Sequence, residues 1–189
     1  MISDEISFVL EIAKKSIKEI VYNNKEWSPE INRHKYADMR EEQGVFTTIY
    51  ADKIEKNLRG CIGIPYPQFP LAEAIALSAR NAATKDPRFP PLSKEEFDRA
   101  VIEVEILSFI EKIDYTNIEN LSDQIIIGEH GLIVKYKGTA GLLLPKVASR
   151  YSWTSNELIE HTLRKAMLPL EASNWEGVEF FKFTSTLYQ

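Results

Sequence analysis

The stretch Leu58-Arg59-Gly60-Cys61-Ile62-Gly63-Ile64 holds the only cysteine of a 189-residue chain, preceded by an arginine and flanked by two glycines. A strand alternates its side chains, so Leu58, Gly60, Ile62 and Ile64 point one way and Arg59, Cys61 and Gly63 the other. The first face reads as core and the second as a place for chemistry or recognition. Gly60 leaves space for another backbone or side chain on the apolar side, and Gly63 does the same beside the thiol. The strand's rise places the Arg59 guanidinium within reach of the sulfur.

Working outward, residues 44–50 are β-branched and aromatic, which predicts a strand, and the polar residues 52–57 reverse the chain to make a hairpin. Pro65, Pro67 and Pro70 end it, because proline supplies no ladder donor. Residues 71–83 form an alanine-rich helix whose stripe of Leu71, Ala74, Ile75, Ser78 and Ala82 packs closely, with the glycine-bearing strand as its natural partner. Residues 3–22 give a second amphipathic helix, with Lys14, Lys15 and Lys18 toward solvent. Residues 23–43, which include His34 and Tyr36, have no sustained period and read as a loop with one turn of helix. Between 86 and 91 three prolines stiffen a loop that carries Asp86, Arg88 and Phe89, and Ser93 with Glu96 forms a capping box.

Residues 101–109 alternate as a third strand, Ile102, Val104 and Ile106 inward and Glu103 and Glu105 on a solvated outer face. Three short apolar segments, 124–127, 132–136 and 141–144, predict a meander. Pro145 stops the last of them. A second capping box, Thr154 with Glu157, opens a helix that buries Leu158, Ile159, Thr162, Leu163 and Ala166 and ends before Pro169. Residues 178–188 read as a single terminal strand, with Phe181, Phe183 and Leu187 on one side.

Composition bounds the function. A net charge of -5, from 28 acidic against 23 basic residues, argues against a general nucleic-acid binder, whose affinity comes mostly from clustered Lys and Arg. One cysteine makes no internal disulfide, and the N-terminus lacks the layout of a signal peptide, so a reducing cytoplasm is expected. No apolar run approaches the roughly 20 residues that cross a bilayer, and no membrane association is expected. His34, His130 and His161 are scattered without zinc-ligand spacing, and neither a P-loop nor a strand-GxGxxG-helix unit occurs, so no metal or cofactor is indicated.

Several stretches together resemble the AMMECR family: LRGCIG at 58–63, DPRFPPL at 86–92, GLIV at 131–134, GLLLP at 141–145, ELIEHTLRKAMLP at 157–169 and GVEFFKF at 177–183. The resemblance spans essentially the whole chain. It implies an α+β fold of two unequal lobes with a cleft between them. The larger lobe, built on an antiparallel sheet, would comprise residues 1–114 with 173–189, and the smaller one, a short antiparallel sheet with helices, residues 115–172. The Arg59–Cys61 strand would look into the cleft. The resemblance further implies functional association with Memo-like and radical S-adenosylmethionine proteins in a modification pathway. This chain departs from the family's usual residues at Lys146, commonly glutamine, at Leu163, commonly cysteine, and at Met167, commonly glycine. A second cysteine has no role here, and the helix loses its glycine stop, which leaves Pro169 to end it.

Two readings of the site stay open. In one, the cleft binds a sizeable substrate, with Cys61 as nucleophile or redox thiol, Arg59 tuning it, and Asp86 and Arg88 positioning the substrate; Gly60 and Gly63 give the ligand room. In the other, the chain is a non-catalytic module that closes on a protein or peptide. Each residue also has a plain structural use. Cys61 can be a small buried hydrophobe, Arg59 and Arg88 can pair with Asp86, Glu103 or Glu105, and Glu157, His161 and Lys165 can form a surface line of ion pairs.

Overall fold

The computed structural model describes residues 2–31 and 39–189, and side chains from residue 8 onward outside the gap, so the predicted 23–43 loop lies partly beyond it, His34 and Tyr36 included. The chain forms two compact units, Met1–Leu107 with Thr186–Gln189 and Ser108–Ser185. Each has its own antiparallel sheet and its own apolar core.

In the first unit the period-two pattern around Cys61 becomes an edge strand. Strands β1 (Val45–Tyr50) and β2 (Leu58–Ile64) form the hairpin, with Thr48 opposite Cys61 and Phe46 opposite Gly63. Strand β3 (Val101–Leu107) pairs on the far side of β1, and β8 (Ser185–Tyr188) completes the sheet in the order β2-β1-β3-β8. Helix α1 (Ile2–Asn23) buries Val9, Ile12, Ala13 and Ile17 and keeps Lys14, Lys15 and Lys18 exposed. Helix α2 (Leu71–Thr84) packs on α1, β1 and β2, which is why its burial reaches well beyond one stripe: Ala72, Ala74, Ile75, Ala76, Ala79, Ala82 and Ala83 are all buried. Two hydrogen bonds fasten this alanine surface, Ser16 Oγ to the Ala76 carbonyl at 2.7 Å and Ser78 Oγ to the Ile62 carbonyl at 2.8 Å. The short helix α3 (Lys94–Phe97) carries the predicted capping box on Ser93 and Glu96.

The second unit departs further from expectation. Residues 124–127 form no strand. Helix α4 (Ile118–Asp123), capped by Asn117, takes the chain there, and Ile125 packs into the core. The sheet is instead β4-β7-β5-β6, with β4 at Glu111–Ile113, β5 at Gly131–Tyr136, β6 at Thr139–Leu143 and β7 at Glu179–Phe183. The boundary drawn from sequence is thereby corrected. Strands β4 and β7, assigned to the large lobe, pair within the sheet of the second unit. The expected single strand over 178–188 is two, since β8 (Ser185–Tyr188) joins the other sheet after Thr184. Its apolar face is also shifted, with Val178, Phe180 and Phe183 buried and Leu187 exposed. Pro145 does end the preceding strand, but as the first residue of helix α5 (Pro145–Arg150), where its missing N–H costs nothing.

Helix α6 (Ser155–Lys165) starts at the expected Thr154 capping box and buries Leu158, Ile159, Thr162 and Leu163. Its end corrects the sequence reading. The Leu168 N–H donates to the Leu163 carbonyl at 2.9 Å and the Met167 N–H to the Arg164 carbonyl at 3.0 Å, the paired bonds of a Schellman turn. Met167 supplies the left-handed residue with φ 60° and is 94% exposed. The turn survives without glycine, at the cost of a strained side-chain-bearing residue. Met167→Gly is therefore expected to stabilise the protein by about 1 kcal/mol, visible as a raised Tm in calorimetry.

Candidate functional site

The sheet face away from α2 carries the side chains that the sequence singled out. Gly60 faces α2, and a Cβ there would collide with the Ala82 carbonyl, so only glycine lets the helix lie this close. Gly63 faces the other way, where the Phe46 ring lies over it and fills the space expected beside the thiol. Cys61 shares this polar face, half-buried, and its Sγ accepts a hydrogen bond from Thr48 Oγ1 at 3.4 Å.

As an edge strand, β2 directs the Cys61 backbone groups away from β1, and an unpaired edge is a template for stray strand addition. The stiff loop after α2 closes it. Asp86, 4% exposed, accepts the Cys61 N–H on Oδ2 at 2.8 Å. Its carboxylate also takes the Arg88 guanidinium in a fork, Nε on Oδ1 at 2.9 Å and Nη2 on Oδ2 at 2.7 Å, together with the Arg88 N–H at 3.1 Å. Arg88 Nη2 in turn reaches the Cys61 carbonyl at 3.4 Å. Asp86 and Arg88 thus stand in for a neighbouring strand. Hydrogen bonding from Arg88, then from the Cys61 N–H, holds the Asp86 carboxyl well below the usual carboxylate range, and the same pair raises Arg88.

Arg59 takes a different partner from those predicted. Its guanidinium, on a residue 9% exposed, forks onto Glu96, Nε to Oε1 at 2.7 Å and Nη2 to Oε2 at 2.9 Å, and Nη2 also meets the Pro91 carbonyl at 3.3 Å. Glu96 simultaneously accepts the Ser93 N–H at 2.8 Å to cap α3. These bonds, the Arg59 fork foremost, hold the Glu96 carboxyl below its ordinary range. The guanidinium that touches the Cys61 residue is that of Arg88. Phe89 lies between the two cations, 5.8 Å from Arg59 and 5.5 Å from Arg88. Glu103 and Glu105, expected on a solvated face, are each 4% exposed, and Glu103 receives Lys56 Nζ at 2.7 Å.

Sequence reasoning missed Thr48, Phe89 as a ring held between guanidiniums, and Glu96 as the partner of Arg59. The capping box did pick out Glu96, but a local motif shows only its local bond. The histidines of the second unit are engaged where they stand: His130 Nδ1 accepts the Ile126 N–H at 3.1 Å, and His161 stacks on Trp153 at 3.8 Å between centroids. Glu157 serves the Thr154 cap. Among the described residues no group of three or more His, Cys, Asp or Glu is arranged to hold a metal ion, and no helix is long and apolar enough to cross a membrane.

Comparison with known proteins gives a consistent assignment. The family model of AMMECR1 matches residues 10–188. A protein of Thermofilum pendens is 37% identical over 193 residues, covering 98% of this chain and 90% of its own. One from Methanocaldococcus jannaschii is 43% identical over 149 residues, covering 79% and 74%. The crystal structure of an uncharacterised protein of Pyrococcus horikoshii superposes with a TM-score of 0.87 at 36% identity, over 95% of this chain and 88% of that one.

Proposed function

The chain belongs to the AMMECR1 family, and from that premise we propose that Cys61 on β2 and the Asp86–Arg88 loop form the binding surface for a protein or peptide segment, with Arg59, Gly60 and Gly63 shaping it from beneath through Glu96, Ala82 and Phe46. One observation carries the reading. The strand edge at Cys61 is fixed by a buried carboxylate, while the adjoining Arg88 side chain stays 53% exposed and Cys61 is partly exposed, so a rigid patch presents a cation, a sulfur and the Phe89 ring together. Rigid loops with exposed polar and aromatic groups favour recognition, since little order is lost on binding. A carboxylate on the ligand is the natural counterpart of Arg88.

A second reading, cysteine-centred catalysis, draws support from a partly exposed thiol on the same strand edge as the Arg88 guanidinium, a cation able to hold an anionic group of a substrate. It requires a base for the thiol; His130 Nδ1 already accepts the Ile126 N–H and His161 stacks on Trp153. A reducing cytoplasm and association with Memo-like and radical S-adenosylmethionine proteins complete the proposal, with the bound segment belonging to a protein of that pathway.

Panning a random peptide library on the purified chain tests the binding reading. Enriched peptides are expected to slow iodoacetamide alkylation of Cys61 and to lose most of their affinity for Arg88→Ala. Peptides that bind equally well to that variant and leave the alkylation rate unchanged would place the binding surface elsewhere. Turnover of a modified peptide that disappears in Cys61→Ala would select the catalytic reading.

A further inference from the structure

The first unit also holds a cavity that shares with the site above only Pro91, whose carbonyl Arg59 meets. It encloses about 340 Å³ between the C-terminal end of α1 and that of α2, against Ile20, Val21, Arg80, Lys85, Pro91 and Leu92, with Asn24, Glu26 and Thr84 at its margin. That size lies within the range of about 300 to 1,000 Å³ typical of small-ligand pockets.

Arg80 is what makes the cavity unusual. Its side chain is only 14% exposed, yet its guanidinium is poorly paired among the described residues. Nη1 meets the Trp27 carbonyl at 3.5 Å and Nη2 meets Glu26 Oε2 at 3.5 Å, both at the outer limit of a hydrogen bond. Nε is buried with no hydrogen-bond partner among the described residues. A desolvated guanidinium normally takes a close bidentate acceptor, because unpaired buried donors are costly. Glu26 does not fill that role. Its side chain is 63% exposed and touches the rim of the fork. The helix carbonyls nearby are already used: the Lys85 N–H caps Asn81 at 2.7 Å, Thr84 Oγ1 donates to the Arg80 carbonyl at 2.7 Å, and the Leu92 N–H donates to Ala83 at 2.8 Å. The cavity therefore offers a guanidinium whose Nε lacks a partner among the described residues and whose Nη2 is held only loosely, with a second cation, Lys85, beside the apolar walls of Ile20, Val21 and Leu92.

We propose that this cavity binds a small organic carboxylate with a short apolar body. Its carboxylate forks onto Nε and Nη2 of Arg80, displacing the Glu26 contact, and its hydrocarbon part lies against Ile20, Val21 and Leu92.

Hexanoate is the probe, titrated into the ¹⁵N-labelled full chain. Saturable shifts are expected at the Arg80 Nε–H and at the Val21, Lys85 and Leu92 amides. Acetate should bind at least about tenfold more weakly for want of apolar contact, and Arg80→Lys should weaken hexanoate by about tenfold because an ammonium cannot fork. The exposed-site variant Glu26→Gln, which leaves the core untouched, should tighten hexanoate binding about threefold by removing a competing charge. Absence of saturation at millimolar hexanoate, equal binding of hexanol, tighter binding of inorganic phosphate than of hexanoate, or unchanged affinity in folded Arg80→Lys or in Glu26→Gln would each overturn the assignment.

Discussion

Gly60→Ala is expected to destabilise the first unit by about 3 kcal/mol, the upper part of the range for overpacking a well-filled interior. The added Cβ meets the Ala82 backbone carbonyl, which cannot rotate away as the end of a flexible side chain would. Relief requires moving α2 off β2, and α2 is held from both sides. Ser78 bonds the Ile62 carbonyl and Thr47, while Ser16 bonds Ala76 from α1. Urea unfolding followed by a probe in the first unit, such as Trp27 fluorescence, measures the loss. A change under about 0.5 kcal/mol, ordinary for a surface substitution, would show that the helix and strand are not in the close contact described.

Asp86→Asn should cost about 2 to 3 kcal/mol, since one buried carboxylate serves the Cys61 N–H and three donors of Arg88. Arg88→Ala should cost less, about 1 kcal/mol, because that side chain is half in water. The variant should also speed exchange of the Cys61 amide, which a global destabilisation smaller than the local opening cannot mimic. The pH dependence follows from the direction of the shift. Asp86 is held below its unfolded value of about 3.9, so its stabilisation is fully present above that pH and fades as pH falls through the lower folded value. The gap between wild type and Asp86→Asn should therefore be constant from neutral pH down to about 4 and close only below it. A gap that closed near pH 6 would assign the stabilisation to some other group.

Much of the first unit was legible from alternation and punctuation. The alternation of 58–64 marks the strand, although a register shift opposite Ile49 and Tyr50 leaves Leu58, read as core, 39% exposed; the prolines that follow stop the strand, and the alanine run of α2 announced a close contact that Gly60 completes. In the second unit the same logic failed at 124–127. Three consecutive isoleucines after Gln124 suit a strand or the turn that leaves a helix equally, and the Asn117-capped helix that ends at Asp123 delivers the chain there as a turn. The split of 178–188 was hidden for a related reason: β7 and β8 are both β-formers, and nothing in their residues says that each pairs in a different sheet.

The amino-acid sequence alone determined the family, the α+β class, the capping boxes at Ser93 and Thr154, and the rigid Asp86–Arg88 loop, because these rest on residues near one another along the chain. The partners were decided only by tertiary structure. That Arg59 forks onto Glu96, 37 positions away, and that Asp86 seals the backbone of Cys61, 25 positions away, depend on which loop the folded sheet brings alongside its edge. Hydrogen-bond partnership is a property of distance in space, and charge type along a sequence leaves several carboxylates equally eligible until the fold puts one within 3 Å.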